Sequence, residues 1–143
     1  MKKVICAMCA CALLLLCACG VGGVHFEIEK EQEINVLNAD GELIKTLSSK
    51  IELDDFYTIL DEENWGDPVR LPENAVRRGE MVLRQTETLK LGQSPDDLQM
   101  QELVRICIYD LPYVALEFEL GGVRLCFAAS DAAMEYFDTI LTA

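Results

Sequence analysis

The C-terminal third of the chain has the pattern that most restricts its fold. In residues 103–128, apolar side chains alternate with charged or polar ones, which predicts strands with one buried and one exposed face. Two turn signals, Asp110-Leu111-Pro112 and Gly121-Gly122, divide this segment into three strands. Because a one-residue slip would move charges into the apolar face, the pattern predicts an antiparallel meander with a well-specified register.

The two turns predict which residues face each other in the meander. A three-residue loop at the first turn sets Arg105 opposite Glu117, and a two-residue turn at the second sets Glu119 opposite Arg124. Both registers separate an apolar face from a charged face. The apolar face is predicted to hold Val104, Ile106, Ile108, Leu116, Phe118, Leu120, Val123, Leu125 and Phe127.

A hairpin is predicted nearer the N-terminus. Residues 25–47 alternate between apolar and polar side chains on either side of an Asp40-Gly41 turn signal. A three-residue loop at this turn sets Val36 opposite Ile44.

Capping signals mark the start of two helices. Ser49 and Glu52 have the spacing of a capping box, and Ser130 precedes a second amphipathic segment. Apolar residues recur at helical spacing after each cap, so each helix has one apolar stripe. Residues 65–79 contain Pro and Gly without a period and are expected to be a connection, and residues 81–91 a further strand.

These elements together predict an α+β fold. We expect an antiparallel sheet of about five to six strands with two helices packed on one face, in the order β-β-α-β-β-β-β-α.

The N-terminus has the pattern of an export signal, with two lysines before an uncharged apolar run. The run ends in Leu16-Cys17-Ala18-Cys19, which resembles the lipobox of bacterial lipoproteins, where the final Cys carries a lipid. The expected organisation is a signal peptide at residues 1–18, a lipid-modified Cys19 with a Gly-rich tether at residues 19–24, and a single domain at residues 25–143.

Two other interpretations of this segment remain open. Residues 4–24 are 21 residues without a charge, which is long enough for a signal anchor that spans the bilayer. An ordinary signal peptidase that cut near Cys19 would instead release the domain. All three interpretations place the domain outside the cytoplasm, because the lysines at positions 2 and 3 keep the N-terminus inside.

The net charge of the chain limits the classes of partner that it can bind. The 143 residues include 12 Lys and Arg against 25 Asp and Glu, and loss of residues 1–18 leaves a charge of about −15. Nucleic acid and anionic headgroups repel such a domain, so we expect no nucleic-acid partner. The domain therefore needs an anchor to stay at a membrane.

Several features together resemble small uncharacterised lipoproteins of Gram-positive bacteria. These features are the lipobox, the Asp40-Gly41 hairpin, the helix before Trp65, and a meander from Tyr109 to Leu125 followed by a helix. The resemblance implies a surface accessory domain at the extracytoplasmic face of the cell membrane. It supplies no catalytic residues.

One group of side chains is a candidate binding surface. Arg105, Glu117, Glu119 and Arg124 are predicted to lie together on the charged face, where they would bind a polar ligand or a protein partner. The alternative interpretation is ordinary cross-strand pairing on a solvated face. Trp65 lies in the long connection and is a candidate for ligand stacking or for packing on the sheet.

No catalytic residues, cofactor or metal site are predicted. His25 is the only histidine and lies beside the tether, and a nucleophilic site would have to use it. The serines lie in turns or cap positions and no G-x-S-x-G motif is present, so His25 is interpreted as a solvated residue at the end of a strand.

Cys107 and Cys126 are expected to be free thiols, because a third strand lies between the two strands that carry them and keeps them too far apart for a disulfide. A disulfide between them, which export would permit, is the alternative. We therefore expect a non-enzymatic domain with an unknown protein or small-molecule partner. The alternatives are a small carboxylate-dependent hydrolase and a structural envelope module.

Overall fold

The computed structural model describes residues 30–62 and 65–143 and confirms the α+β fold. Six antiparallel strands form one sheet in the order β2-β1-β3-β4-β5-β6, and the predicted sequence of elements is confirmed. The elements are β1 (Gln32–Asn38), β2 (Leu43–Leu47), α1 (Lys50–Glu62), β3 (Arg77–Thr86), a short 3-10 helix (Pro95–Asp97), β4 (Met100–Tyr109), β5 (Tyr113–Phe118), β6 (Val123–Ala128) and α2 (Asp131–Thr142). The strand-like pattern of residues 25–29 lies outside the described residues.

The core lies between one face of the sheet and the two helices. Phe56 of α1 and Phe137 of α2 are fully buried against the apolar side chains of the strands. Gly79 lets α2 approach the sheet closely, because a Cβ at this position would lie 2.5 Å from Leu141 Cδ2 and 2.6 Å from the Leu37 carbonyl oxygen. The strand residues in this core are Ile34, Val36, Leu47, Met81, Leu83, Ile106, Ile108, Val114 and Phe127.

Both predicted helix caps are confirmed. The Ser49 backbone N–H donates to Glu52 Oε2 at 3.2 Å, and the Glu52 N–H donates to Ser49 Oγ at 3.3 Å, which is the reciprocal pattern of a capping box. The Ser49 side chain, the largest cause, together with backbone donors and Lys45, lowers the pKa of Glu52 to about 2. Ser130 Oγ accepts from the Ala133 N–H at 3.1 Å at the start of α2.

The predicted register between β5 and β6 was wrong by two residues. Glu117 pairs with Arg124, and Phe118 pairs with Val123, so a four-residue loop replaces the expected two-residue turn. Gly121 and Gly122 both have positive φ in this loop. A shift of two residues leaves every remaining strand residue on its predicted face. It also removes Glu119 and Leu120 from the sheet, so Leu120 is 94% exposed, contrary to its predicted place in the core.

Two further expectations needed correction. Val36 pairs with Lys45 instead of Ile44, because the β1–β2 ladder has a bulge between Val36 and Leu37 in which Ile44 is the extra residue. This register lets Lys45 reach Glu52 of α1 at 3.3 Å. The strand expected at residues 81–91 begins earlier and ends earlier, at Arg77 and Thr86.

The connection before β3 passes around the edge of the sheet. Trp65 lies on the helix side, where its ring contacts Phe127 and its Nε1 donates to the Leu60 carbonyl at 3.1 Å. The Val69 N–H then donates to the Cys126 carbonyl at 2.8 Å, a backbone hydrogen bond on the outer edge of β6. Beyond this point Leu71 and Ala75 pack on the opposite face, against Cys107, Tyr109 and Ala115. The edge strand β6 is thereby partly covered.

Within the described residues, no helix is long and apolar enough to cross a membrane.

Candidate functional site

Two β-bulges in the β3–β4 ladder shape the sheet face that lies opposite the helices. In β4, Val104 pairs with Leu83 and Glu102 pairs with Arg84, so Leu103 is the extra residue. In β3, the extra residue is Arg78, between the residues that pair with Tyr109 and Ile108. A bulge changes the alternation of side chains along its strand.

The bulge in β4 brings two charged side chains to the same face. Glu102 and Arg105 are three residues apart, a spacing that would put them on opposite faces of a regular strand. With Leu103 as the extra residue, both lie on the face away from the helices, and Arg105 Nε and Nη2 donate to the two Glu102 oxygens at 3.1 and 3.0 Å. These bonds from Glu102 are the main reason that the pKa of Arg105 is raised.

The bulge in β3 has the same effect on a second pair. Arg77 and Glu80 are also three residues apart, and Arg77 Nη1 donates to Glu80 Oε1. The extra residue, Arg78, reaches Asp138 of α2 on the helix side. At this one bulge, therefore, Arg77 forms an ion pair on the charged face and Arg78 forms one with the helix layer on the other side.

Glu80 is the buried centre of this charged face. Its side chain is only 5% exposed, and Arg105 Nη1 donates to its second oxygen at 2.6 Å. Both carboxylate oxygens are thus bonded to guanidinium groups, as a buried charge requires. We call Arg77, Glu80, Glu102 and Arg105 the ion-pair layer.

A second row of charges lies beside the ion-pair layer. Arg124 Nε lies 3.3 Å from Glu117 Oε1, and Arg124 Nη2 donates to the Tyr109 hydroxyl at 2.5 Å. Burial is the main reason that the pKa of Tyr109 is raised, so this hydroxyl stays protonated at neutral pH. Arg124 therefore bridges a carboxylate and a phenol.

The two cysteines of the domain lie on the same face. Cys107 and Cys126 both pair with Ala115 of the strand between them, and both are free thiols. Burial, followed by the charges of Glu117 and Glu80, raises the pKa of Cys107 to about 11. Its thiol is therefore protonated at neutral pH, which makes it a poor nucleophile.

A shallow, open groove of about 520 Å³ lies where the charged face meets the β5–β6 loop. Its lining comprises Glu102, Arg105, Glu117, Phe118, Glu119, Gly122, Val123 and Arg124. The four charged residues that the sequence predicted as a binding surface are all among them. Trp65 is not, because the sheet lies between it and this face.

Three members of the arrangement were missed in the sequence. Arg77 and Glu102 lie off the regular alternation, so a two-residue period does not place them beside their partners. Glu80 keeps the alternation and was missed because the pairing of β3 with β4 is not a local signal. One signal in the sequence could have revealed them. Each of the two neighbouring strands carries an arginine and a glutamate three residues apart, Arg77 with Glu80 on β3 and Glu102 with Arg105 on β4.

Among residues 30–62 and 65–143, no group of three or more His, Cys, Asp or Glu side chains is placed to hold a metal ion. Comparisons with protein-family models, curated proteins and solved structures found no match for this chain.

The Glu80→Gln variant tests the ion-pair layer. An amide keeps the shape of the side chain but leaves two guanidinium groups without their shared charge, so we expect a loss of about 2 kcal/mol in the free energy of unfolding. The measurement is urea denaturation. A lower midpoint with an unchanged dependence of the free energy of unfolding on urea concentration gives the loss in stability.

Glu117→Gln is the matched control, because this carboxylate and its partner Arg124 are 39% and 53% exposed. It should cost less than about 1 kcal/mol. Equal losses for the two variants would contradict a special role for Glu80.

Proposed function

We propose that the chain is a lipoprotein domain at the outer face of the cell membrane, held by a lipid on Cys19, and that it binds a partner through its charged face. The lipobox resemblance and the need of an acidic domain for an anchor support the location. The groove beside the ion-pair layer supports the binding role, and it is the observation that carries the proposal.

The charges of the groove indicate which chemistry it would recognise. Arg105 is engaged by two carboxylates and Arg124 by one, whereas Glu119 in the loop has no ion-pair partner among the described residues. The groove has three carboxylates against two guanidinium groups, so one negative charge is in excess. A partner with a basic group would compensate it.

The same pairing weighs against a carboxylate-dependent hydrolase. Glycoside hydrolysis uses two carboxyl groups, one of which acts as an acid with a raised pKa. In the groove, Glu102 and Glu117 are ion-paired with Arg105 and Arg124, so guanidinium groups already engage both carboxylates. Binding is therefore the better-supported function.

The anchor is tested by the intact mass of the protein extracted from membranes. We expect the mass of residues 19–143 plus acyl chains, because a lipobox is cut immediately before its lipid-bearing Cys. The Cys19→Ser variant is the control and should carry no acyl mass. A chain that retains residues 1–18 would indicate a signal anchor, and residues 19–143 without acyl mass would indicate free secretion.

The binding role is tested by photo-crosslinking on intact cells. A photoreactive residue in place of Glu119 should give one specific crosslinked species, because this position lines the groove. The same residue in place of Glu135, an exposed carboxylate on α2, should not give it. Arg124→Gln should weaken the Glu119 crosslink.

Two results would contradict the binding role. No crosslink at the Glu119 position would favour a structural envelope module. The same crosslinked species from both positions would mean that the contact does not depend on the groove.

A further inference from the structure

The strand pairing places several loops at one end of the sheet. Because every pair is antiparallel, the start of β1, the end of β3, the start of β4, the end of β5 and the start of β6 lie together. The loop of residues 87–99, the loop of residues 119–122 and the start of α1 are therefore at this end. We call it the tether end, because β1 begins there and the chain from Cys19 arrives there.

The first described residues lie beside one of these loops. Lys30, the first described residue, donates from Nζ to Thr88 Oγ1 at 3.0 Å, and the Glu31 carbonyl accepts from the Thr86 N–H at 2.9 Å. The eleven residue steps from Cys19 to Lys30 span at most about 40 Å, so a lipid on Cys19 would keep this end within that distance of the bilayer.

The most exposed large apolar side chains of the described residues lie at the same end. Leu91 is fully exposed, Leu120 is 94% exposed and Ile51 is 73% exposed. Each lies in a different segment: the loop after β3, the loop after β5 and the first turn of α1. They do not form one contiguous patch, but all three lie at the end of the domain where the described chain begins, so one flat apolar surface could meet them together.

From these observations, and resting on the proposed lipid anchor, we infer that the tether end lies on the bilayer and that Leu91, Leu120 and Ile51 enter its interface. An acidic domain gains nothing from anionic headgroups, so the contact depends on apolar burial. The anchor holds the domain at a high local concentration near the bilayer, so a small apolar contact is sufficient to keep the tether end on the membrane surface.

Two neighbouring lysines fit this orientation, whereas the exposed acidic residues at this end, Asp96, Asp97 and Glu119, stay in the aqueous layer. Lys50 precedes Ile51 and Lys90 precedes Leu91, and both lysines are exposed. At an interface a lysine keeps its ammonium in the headgroup layer while its aliphatic stem follows the apolar neighbour inward. In this orientation the strands run away from the bilayer, so the charged face is roughly perpendicular to the membrane plane. Its groove then lies close to the membrane surface.

Tryptophan quenching in vesicles tests this inference. The full chain, purified from membranes, is reconstituted in phosphatidylcholine vesicles whose acyl chains carry bromine near the headgroups, and unbrominated vesicles serve as the reference. The Leu91→Trp and Leu120→Trp variants should lose emission to the bromine and shift to shorter wavelength. The depth expected for such side chains is roughly 5–10 Å into the boundary between headgroups and acyl chains.

Leu43→Trp is the matched control, because Leu43 is 58% exposed at the opposite end of the sheet. It should match the unaltered chain, whose Trp65 supplies the common background. Equal emission from brominated and unbrominated vesicles at positions 91 and 120 would overturn the inference, as would equal quenching at all three positions. Protection of these positions from aqueous acrylamide without quenching by bromine would also overturn it, since a protein would then cover them.

Flotation of the same vesicles separates this inference from the anchor. A chain that floats but shows no quenching at positions 91 and 120 retains the anchor and refutes the orientation. A chain that does not float refutes both.

Discussion

The structure depends on the carboxylate of Glu80, a charge buried within the sheet. A buried carboxylate is tolerated only when cations compensate it, and here Arg77 and Arg105 bond its two oxygens. Arg77 reaches it from the same strand because of the bulge in β3, and Arg105 is held in turn by Glu102 because of the bulge in β4. The ion-pair layer therefore forms only with this bulged register of the two central strands.

This arrangement gives the sheet two unlike faces with separate roles. The helices cover the apolar face, and the connection around β6 covers part of the other, which leaves the charged groove open. The bulge at Arg78 links the layers, because its extra residue pairs with Asp138 of α2. With the tether end on the bilayer, the proposed binding face would stand beside the membrane, where it could meet an envelope or membrane protein with a basic segment.

Most of the fold could be predicted from the sequence, because hydrophobic periodicity and capping residues are local signals. The cap at Ser49, the cap at Ser130 and the division of the meander into two faces are confirmed. The candidate site was predicted only in part. A β-bulge depends on the partner strand, so no pattern within β3 or β4 reveals that Arg77 reaches Glu80 or that Glu102 joins Arg105. The Gly121-Gly122 pair permits loops of two or four residues, and only packing of the strands decides between them.

The most direct test of this account is the strand pairing around Leu103, measured by nuclear Overhauser contacts between backbone protons of β3 and β4. The account predicts contacts between Leu83 and Val104 and between Arg84 and Glu102, with Leu103 unpaired. Regular pairing of Arg84 with Leu103 would contradict it, because Glu102 would then lie on the helix side and the ion-pair layer could not form.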